Sequence, residues 1–479
     1  MWSSIAMWSG LTLGWWGLLW LLIPSEWAVT NPGSLLMLHL APPPALGLGV
    51  RAWERLGSLR LEEEAQQAEV QAAEASAQAD RAARARHVAQ LAERQQMLEC
   101  RALHCIALPA DTVPAWLDET QEGWSWRRLE ADELAEGLEQ GADALRAGLA
   151  QEVLAALYAC APGAAWLPVY TESPTEEAPV TWLARVQGWV QAQGRRCLTQ
   201  NAPHADVRLL AGQGALAARV QQIFELQPEL PGVVVLAADG AALQGPLLEP
   251  EDVLPPGGLA CVGLLFLRQG LDEDGHARAA VLDRDPYRPY WEKRFVRPVP
   301  AWGAVPLEYQ PGLAGLPVLA RLARPGVADG LPQRRGQQLA RGLAPRLEEA
   351  LVNAALQDLP FCPEEARPEL NRAPELAWLV HNCGPVDQAG TRLAAVCNTL
   401  SLHQAELDPV EQASNSVTEW GETGAATPSL LAALAITHAR RLGQPVLMAQ
   451  FQADTASLGI VLPPERPPES PPVFEESRA

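Results

Sequence analysis

The groups in this chain that could do covalent or acid–base chemistry are its cysteines, its histidines and a few residues at the ends of apolar runs. Cys383 lies two positions from His381, the one pair in which an imidazole could activate a thiol. Cys197, Cys261 and Cys397 are further thiols of the same region, and a buried cysteine acting as a small hydrophobe is the commoner case for each. Eight Cys and eight His are scattered without a Cys-x-x-Cys or His-x-x-x-His spacing, and Cys100 and His104-Cys105 stand alone, so no metal-ligand set is assigned. Gly212-Gln213-Gly214 precedes an apolar helical run as a phosphate-cradling turn would. It lacks the third glycine and the acidic residue about 20 positions on, and is rejected as one. Asp239-Gly240 follows the run GVVVLAA at a strand's carboxyl end, where ligands gather in α/β sheets, but a plain turn is the favoured reading. No catalytic, cofactor-binding or metal-binding residue is therefore assigned.

The elements that would hold these groups alternate. Apolar runs bounded by Gly and Pro predict strands at 102–108, 165–169, 207–210, 232–237, 259–267, 376–381, 446–452 and 457–462. Helical periodicity predicts helices at 131–157, 180–193, 216–226, 336–356, 391–400 and 428–442. The order strand, helix, strand, helix, strand, strand over 165–267 is echoed over 376–462, so PPGGLACVGLLFLR and QPVLMAQFQADTASLGIVLP read as equivalent parts of two halves. The expected fold class is α/β: a pseudo-repeated layered body, with a subdomain at 102–164, a first half at 165–300 and a second at 301–463. The Pro- and aromatic-rich stretch 283–311 reads as an irregular connection, and the tail 464–479 as disordered.

Ahead of this body the composition differs. Residues 1–24 carry no charge, and the 19-residue run 5–23 approaches the roughly 20 residues that span a hydrocarbon core. Trp2, Trp8, Trp20 and Trp27 suit interfacial positions, and Arg51, Arg55 and Arg60 favour a cytoplasmic flank. Residues 1–50 thus read as a membrane anchor, one span or a hairpin, at the inner membrane with the bulk of the chain in the cytoplasm. A signal peptide lacks its basic region here, and a buried apolar helix is the bland alternative. Residues 51–101 read as a long Ala/Glu/Arg-rich helix. Alanines 65, 68, 72, 75, 79 and 82 form a seam of period 3.5 that could make a coiled-coil homodimer or simply lie on its own domain. The net charge of −21 argues against nucleic acid and leaves an acidic surface able to steer a protein partner.

Two α/β halves, the second carrying Gly421-Glu422-Thr423-Gly424-Ala425-Ala426, the helix SLLAALAITHARRLG and then VLMAQFQADTASLGIVL, resemble the thiolase and ketoacyl-synthase fold. The resemblance covers about 168–463. It implies a histidine where Glu422 stands, a nucleophilic cysteine where Gly212-Gln213-Gly214 stands, and a His-Gly-x-Gly-Thr motif that His381-Asn382-Cys383-Gly384 and Thr391 match loosely. The family's condensing machinery is thereby eroded, which implies a pseudoenzyme rather than an enzyme. Anchor, long helix and eroded body together resemble the type VI secretion lipase adaptor family of proteobacteria. That resemblance implies a non-enzymatic adaptor, without cofactors, that binds a lipase effector and delivers it to the secretion spike protein. The alternatives are a membrane-tethered acyl-transfer or condensing enzyme with a relocated cysteine nucleophile, or a membrane-linked structural dimer through residues 65–82.

Overall fold

The computed structural model describes residues 2–22, 33–34, 36–37, 42–94, 96–110, 114, 116–174, 177–197, 206–227, 229–244, 257–269, 271, 302–357, 375–384, 386–403, 405, 407–409 and 411–464. The tail from 465 and most of the 283–311 connection lie outside them. The chain packs as two units, Met1–Gln90 and Leu91–Ala479.

In the first unit, Trp2–Leu22 (α1) and Pro42–Arg94 (α2) are helical. Pro42, Pro43 and Pro44 open α2 rather than interrupt a second span, because proline's missing N–H and fixed φ suit a first helical turn. A membrane-spanning segment is not supported: among the described residues no helix is long and apolar enough to cross a membrane. Trp, Gly, Ser and Thr fill twelve of the 21 positions of α1, and such residues favour interfaces and packing contacts over hydrocarbon. The alanine seam at 65–82 is exposed along α2. The long helix stops at Arg94, and a strand begins at Leu98, inside the stretch expected to be helical.

The second unit is built on one 13-stranded sheet. Its strands are Leu98–Ala107 (β1), Thr120–Gln121 (β2), Trp124–Arg128 (β3), Val169–Thr171 (β4), Val207–Leu209 (β5), Gly232–Asp239 (β6) and Ala260–Arg268 (β7). Then follow Ala320–Leu322 (β8), Gly326–Asp329 (β9), Trp378–His381 (β10), Ala413–Asn415 (β11), Val446–Phe451 (β12) and Thr455–Leu462 (β13). Taking β1, β4, β5, β6 and β7 as strands one to five of a half, they lie in the order 3-2-4-5-1, the fifth antiparallel to both neighbours. Strands β8, β10, β11, β12 and β13 repeat that order and those directions. The halves meet antiparallel where Leu98, Glu99 and Cys100 of β1 pair with Leu322, Arg321 and Ala320 of β8. The internal echo of the sequence is thus a duplicated topology.

The helices occupy matching places in the halves. Ala131–Gln140 (α3) and Ala142–Cys160 (α4) replace the single helix expected over 131–157, because Gly141 adopts φ 110° between them. Pro179–Cys197 (α5), Leu216–Leu226 (α6), Gln310–Ala314 (α7), Gly336–Asn353 (α8), Val386–Leu402 (α9), Ser416–Trp420 (α10) and Thr427–Leu442 (α11) complete the set. Alternate residues of the strands face two cores, as a period of two requires. Val233, Val235 and Ala237 of β6 and Val446 and Met448 of β12 face a central core with α6 and α11. Val234, Leu236 and Ala238 face a second core with α4 and α5, while Leu447 and Ala449 face a third with α8 and α9. Trp126 of β3 donates its Nε1–H to Thr437 Oγ1 of α11 at 2.9 Å, tying the extra strand to the central helix.

The halves are also clamped at the N-terminal end of α11. Asp239 Oδ2 at the end of β6 accepts the Ala425 N–H at 2.9 Å, and the Glu422 carbonyl accepts the N–H groups of Ala241 at 3.0 Å and Gly258 at 3.2 Å. A methyl group on Gly258 would lie 2.0 Å from the Trp420 carbonyl oxygen, backbone that cannot move aside cheaply. Gly258→Ala should therefore destabilise the protein by about 3 kcal/mol or more, beyond ordinary overpacking, seen as a lowered urea midpoint; an unchanged midpoint would contradict the clamp.

Candidate functional site

Five strands, two from the parallel set of the first half and three from that of the second, end on one cavity of about 1240 Å³ within the second unit. Glu172 follows β4, Gly212 and Gln213 follow β5, Asn382, Cys383 and Gly384 follow β10, Ser416 and Val417 follow β11, and Gln452 and Ala453 follow β12. Carboxyl ends of parallel strands are where α/β sheets form ligand crevices, because side chains and helix N-termini converge there. Both halves contribute, so the duplicated topology builds the site.

The structure brings together the segments singled out by sequence. Gly212-Gln213-Gly214, His381-Asn382-Cys383-Gly384 and Gly421-Glu422 all reach the cavity or its wall. The glycine loop turns through φ 87° at Gly212 and 104° at Gly214. It is pinned from the second half: the Gly214 N–H donates to Gln452 Oε1 at 2.7 Å, and Gln450 Nε2 donates to the Gly214 carbonyl at 3.4 Å. It leads to Ala215, the N-cap of α6, so a methyl group and no thiol opens the helix there. Asn382 brackets Phe451, with Nδ2 donating to its carbonyl and Oδ1 accepting its N–H, each at 2.8 Å. Asn415 caps α10 by accepting the Val417 N–H at 3.2 Å and donates Nδ2 to the Gly384 carbonyl at 2.7 Å.

Of the thiols named from sequence, Cys383 lines the cavity. Cys100, Cys105 and Cys261 are buried in the sheet, while Cys197 and Cys397 are half-buried on α5 and α9. Burial pushes the Cys383 thiol up to about 12, against a smaller opposing pull from Arg392. His381 is no base for it in this arrangement. Its Nδ1 accepts the Cys383 N–H at 3.2 Å, and burial pushes the imidazole down to about 4, so it is neutral with its proton on Nε2. A thiolate would need a nearby cation or helix N-terminus to form at neutral pH. Partial burial pushes Glu422 upward too, against a weaker backbone hydrogen bond from Gly424. His104 bonds Ser125 Oγ at 2.6 Å and Cys160 Sγ at 3.4 Å within the fold, and among the described residues no metal-ligating cluster forms. Asp239-Gly240 is the clamp described above rather than a ligand turn.

Sequence reasoning missed the charged part of the wall. Arg219 of α6 makes a two-pronged ion pair with Glu172, and donates to the Ala211 carbonyl at 3.1 Å and to the Leu210 carbonyl. Arg334 and Arg335 stand just before α8, and Arg392 lies over the Phe451 ring at 5.5 Å. Arg219 and Glu172 are 47 positions apart, on either side of α5, and no local pattern joins them.

Burial drives the pH response in opposing directions. It pushes His104, His381 and His438 each down to about 4, so their contribution is complete above the ordinary histidine value of about 6.5 and lost as pH falls towards 4. It pushes Glu419 up to about 7, so burying that carboxyl costs stability that grows as pH rises above the ordinary value of 4.5 and is complete above pH 7. Three histidines outweigh one glutamate, and the urea midpoint should drop between pH 7 and 5. Glu419→Gln should raise the unfolding free energy from urea titration at pH 8 by about 1 kcal/mol or more, and much less at pH 5. A midpoint rising on acidification, or an equal Glu419→Gln effect at both pH values, would contradict this burial.

No family model and no curated protein matches the sequence. Solved structures to which the chain is similar include the acetamide-bound OleA of Xanthomonas campestris, at 12% identity and TM-score 0.36, covering 77% of this chain and 99% of that one. The 3-oxoacyl-[acyl-carrier-protein] synthase III of Aquifex aeolicus is similar at 13% identity and TM-score 0.36, covering 76% and 99%. The FabH synthase of Pseudomonas aeruginosa is similar at 17% and 0.34, covering 78% and 100%. Likeness at these scores carries no argument about activity; the duplicated strand order stands on the chain's own register.

Proposed function

We propose that Leu91–Ala479 is a thiolase-like body that has lost condensing chemistry, and that the whole chain is a non-enzymatic adaptor. In this reading it binds a lipase effector and passes it to a type VI secretion spike protein. The observation that carries the first part is a cavity at the meeting of both halves in which, among the described residues, no group is set up as a nucleophile. Ala215 opens α6, Glu422 stands at the position of a histidine, and Cys383 is held as a thiol by burial beside a neutral His381. An oxyanion could still find donors in such a wall, but a Claisen-type step needs a thiolate first.

The second part is supported by the order of the chain's parts. An uncharged helix, arginines 51, 55 and 60, and a helix of 53 residues precede the body. That layout suits a protein held at the cytoplasmic face of the inner membrane, and the −21 charge would speed encounter with a basic partner surface. A second reading, a tethered acyl-transfer enzyme, draws on Cys383, the one cysteine among the described residues that lines the cavity.

The adaptor reading is tested by isolating the tagged full-length chain from its native cells. The expected result is co-purification with a lipase encoded beside it, in an amount approaching one per chain. Repeated recovery without that lipase, under conditions where both are expressed, would overturn it.

A further inference from the structure

The protein is strongly acidic, yet its cavity is not. Against a net charge of −21, the charged residues lining the cavity are Arg219, Arg334, Arg335 and Arg392 on one side of the balance and Glu172 and Glu422 on the other. Arg219 and Glu172 neutralise each other in their ion pair, and partial burial disfavours the charged form of Glu422. Arg334, Arg335 and Arg392 have no carboxylate partner among the described residues. Arg335 is also the N-cap of α8, and no side chain caps that 18-residue helix. Its positive end therefore adds to the two guanidinium groups beside it. A cleft of one sign in a protein of the other focuses field on a ligand of the protein's own sign.

A second observation concerns hydrogen bonding. Ser416 Oγ and Gln450 Oε1 belong to side chains that are 1% exposed and line the cavity, and neither atom has a partner among the described residues. Buried polar atoms are normally satisfied, and the carboxamide oxygen can be satisfied only by a donor. The arginines ask for carboxylates or phosphates; Gln450 asks for an N–H or O–H. A phosphate diester or a fully ionised dicarboxylate, with no N–H or O–H of its own, meets the first demand and leaves the second unmet. A peptide with acidic side chains meets both. At about 1240 Å³ the cavity exceeds the roughly 300–1,000 Å³ of sites for single small molecules.

We propose that this cavity is a socket for an acidic peptide segment. Arg334, Arg335 and Arg392 take its carboxylates, and Ser416 and Gln450 take its backbone N–H groups. The proposal rests on the adaptor reading and deepens it, since it names the chemistry of the partner segment that the body grips. Guanidinium pairs with carboxylate in a planar two-pronged geometry, so the arginines are not replaceable by any cation.

The test uses the full-length protein and a fluorescein-labelled hexapeptide of alternating glutamate and glycine, read by anisotropy. The glutamate peptide is expected to bind at least about tenfold more tightly than its glutamine counterpart, and more weakly as salt rises from about 50 to 300 mM. Arg392→Gln, and Arg334→Gln with Arg335→Gln, should each weaken binding about tenfold with an unchanged thermal midpoint. Ser416→Ala should weaken binding while leaving the free protein as stable or more so, which a merely structural serine would not do. Equal binding of both peptides, or variants that bind like the wild type, would overturn the socket. So would stronger binding of inorganic pyrophosphate at the same site, which would make it a phosphate site. If the arginine variants lose the peptide yet still co-purify with the lipase, the socket is overturned as the lipase's grip and the adaptor reading stands. If the peptide binds as expected and the wild-type chain never brings down the lipase, the adaptor reading fails by itself.

Discussion

One helix sets the architecture. In Thr427–Leu442 the run from Pro428 to Thr437 is buried on every side, and a helix with no polar face must be enclosed rather than laid on a surface. A single sheet half offers one face. Enclosure therefore needs strands of both halves, with Leu216–Leu226 beside it and Trp126 reaching its Thr437 from the added strand. The N-terminal end of that helix must then arrive at the carboxyl ends of the strands, where Asp239 and the Glu422 carbonyl hold it. The cavity is a consequence of that placement.

The same constraint explains what could be read from sequence. The long apolar runs of β6, β7, β12 and β13, buried on both sides, and the amphipathic helix at 216–226 are strong signals, and the structure has them within one or two residues of the expected bounds. The short elements were not legible. Residues 165–169 were expected as a strand, but Pro162 starts a 3-10 turn over Pro162–Trp166, and the strand begins only at Val169. β8, β9 and β11, of three or four residues each, carry too little pattern to stand out, and their pairing is imposed by β13 and β10. β1 starts at Leu98, hidden by the helical composition before it.

The site was legible in part and for a clear reason. Cys383, His381, Glu422 and the 212–214 loop carry local signals, a Cys near a His or glycines before a helix, and the fold brings them to one cavity. The arginines carried none. Arg219 meets Glu172 across α5, while Arg334 and Arg335, just before α8, and Arg392 of α9 come from the other half. Long-range charge is visible only once the topology is known.

What distinguishes this cavity is that the thiol lining it and the imidazole behind that thiol are held in their neutral forms. Burial keeps the Cys383 thiol protonated and the His381 imidazole uncharged, and the one short hydrogen bond between them runs from a backbone N–H. That combination supports rigidity rather than proton transfer. The account is tested most directly by incubating the folded full-length protein at pH 7 with a medium-chain acyl thioester and measuring its intact mass. The account predicts an unmodified protein, with Cys383 acylated only after unfolding. One acyl group per chain on Cys383 in the folded protein would contradict it.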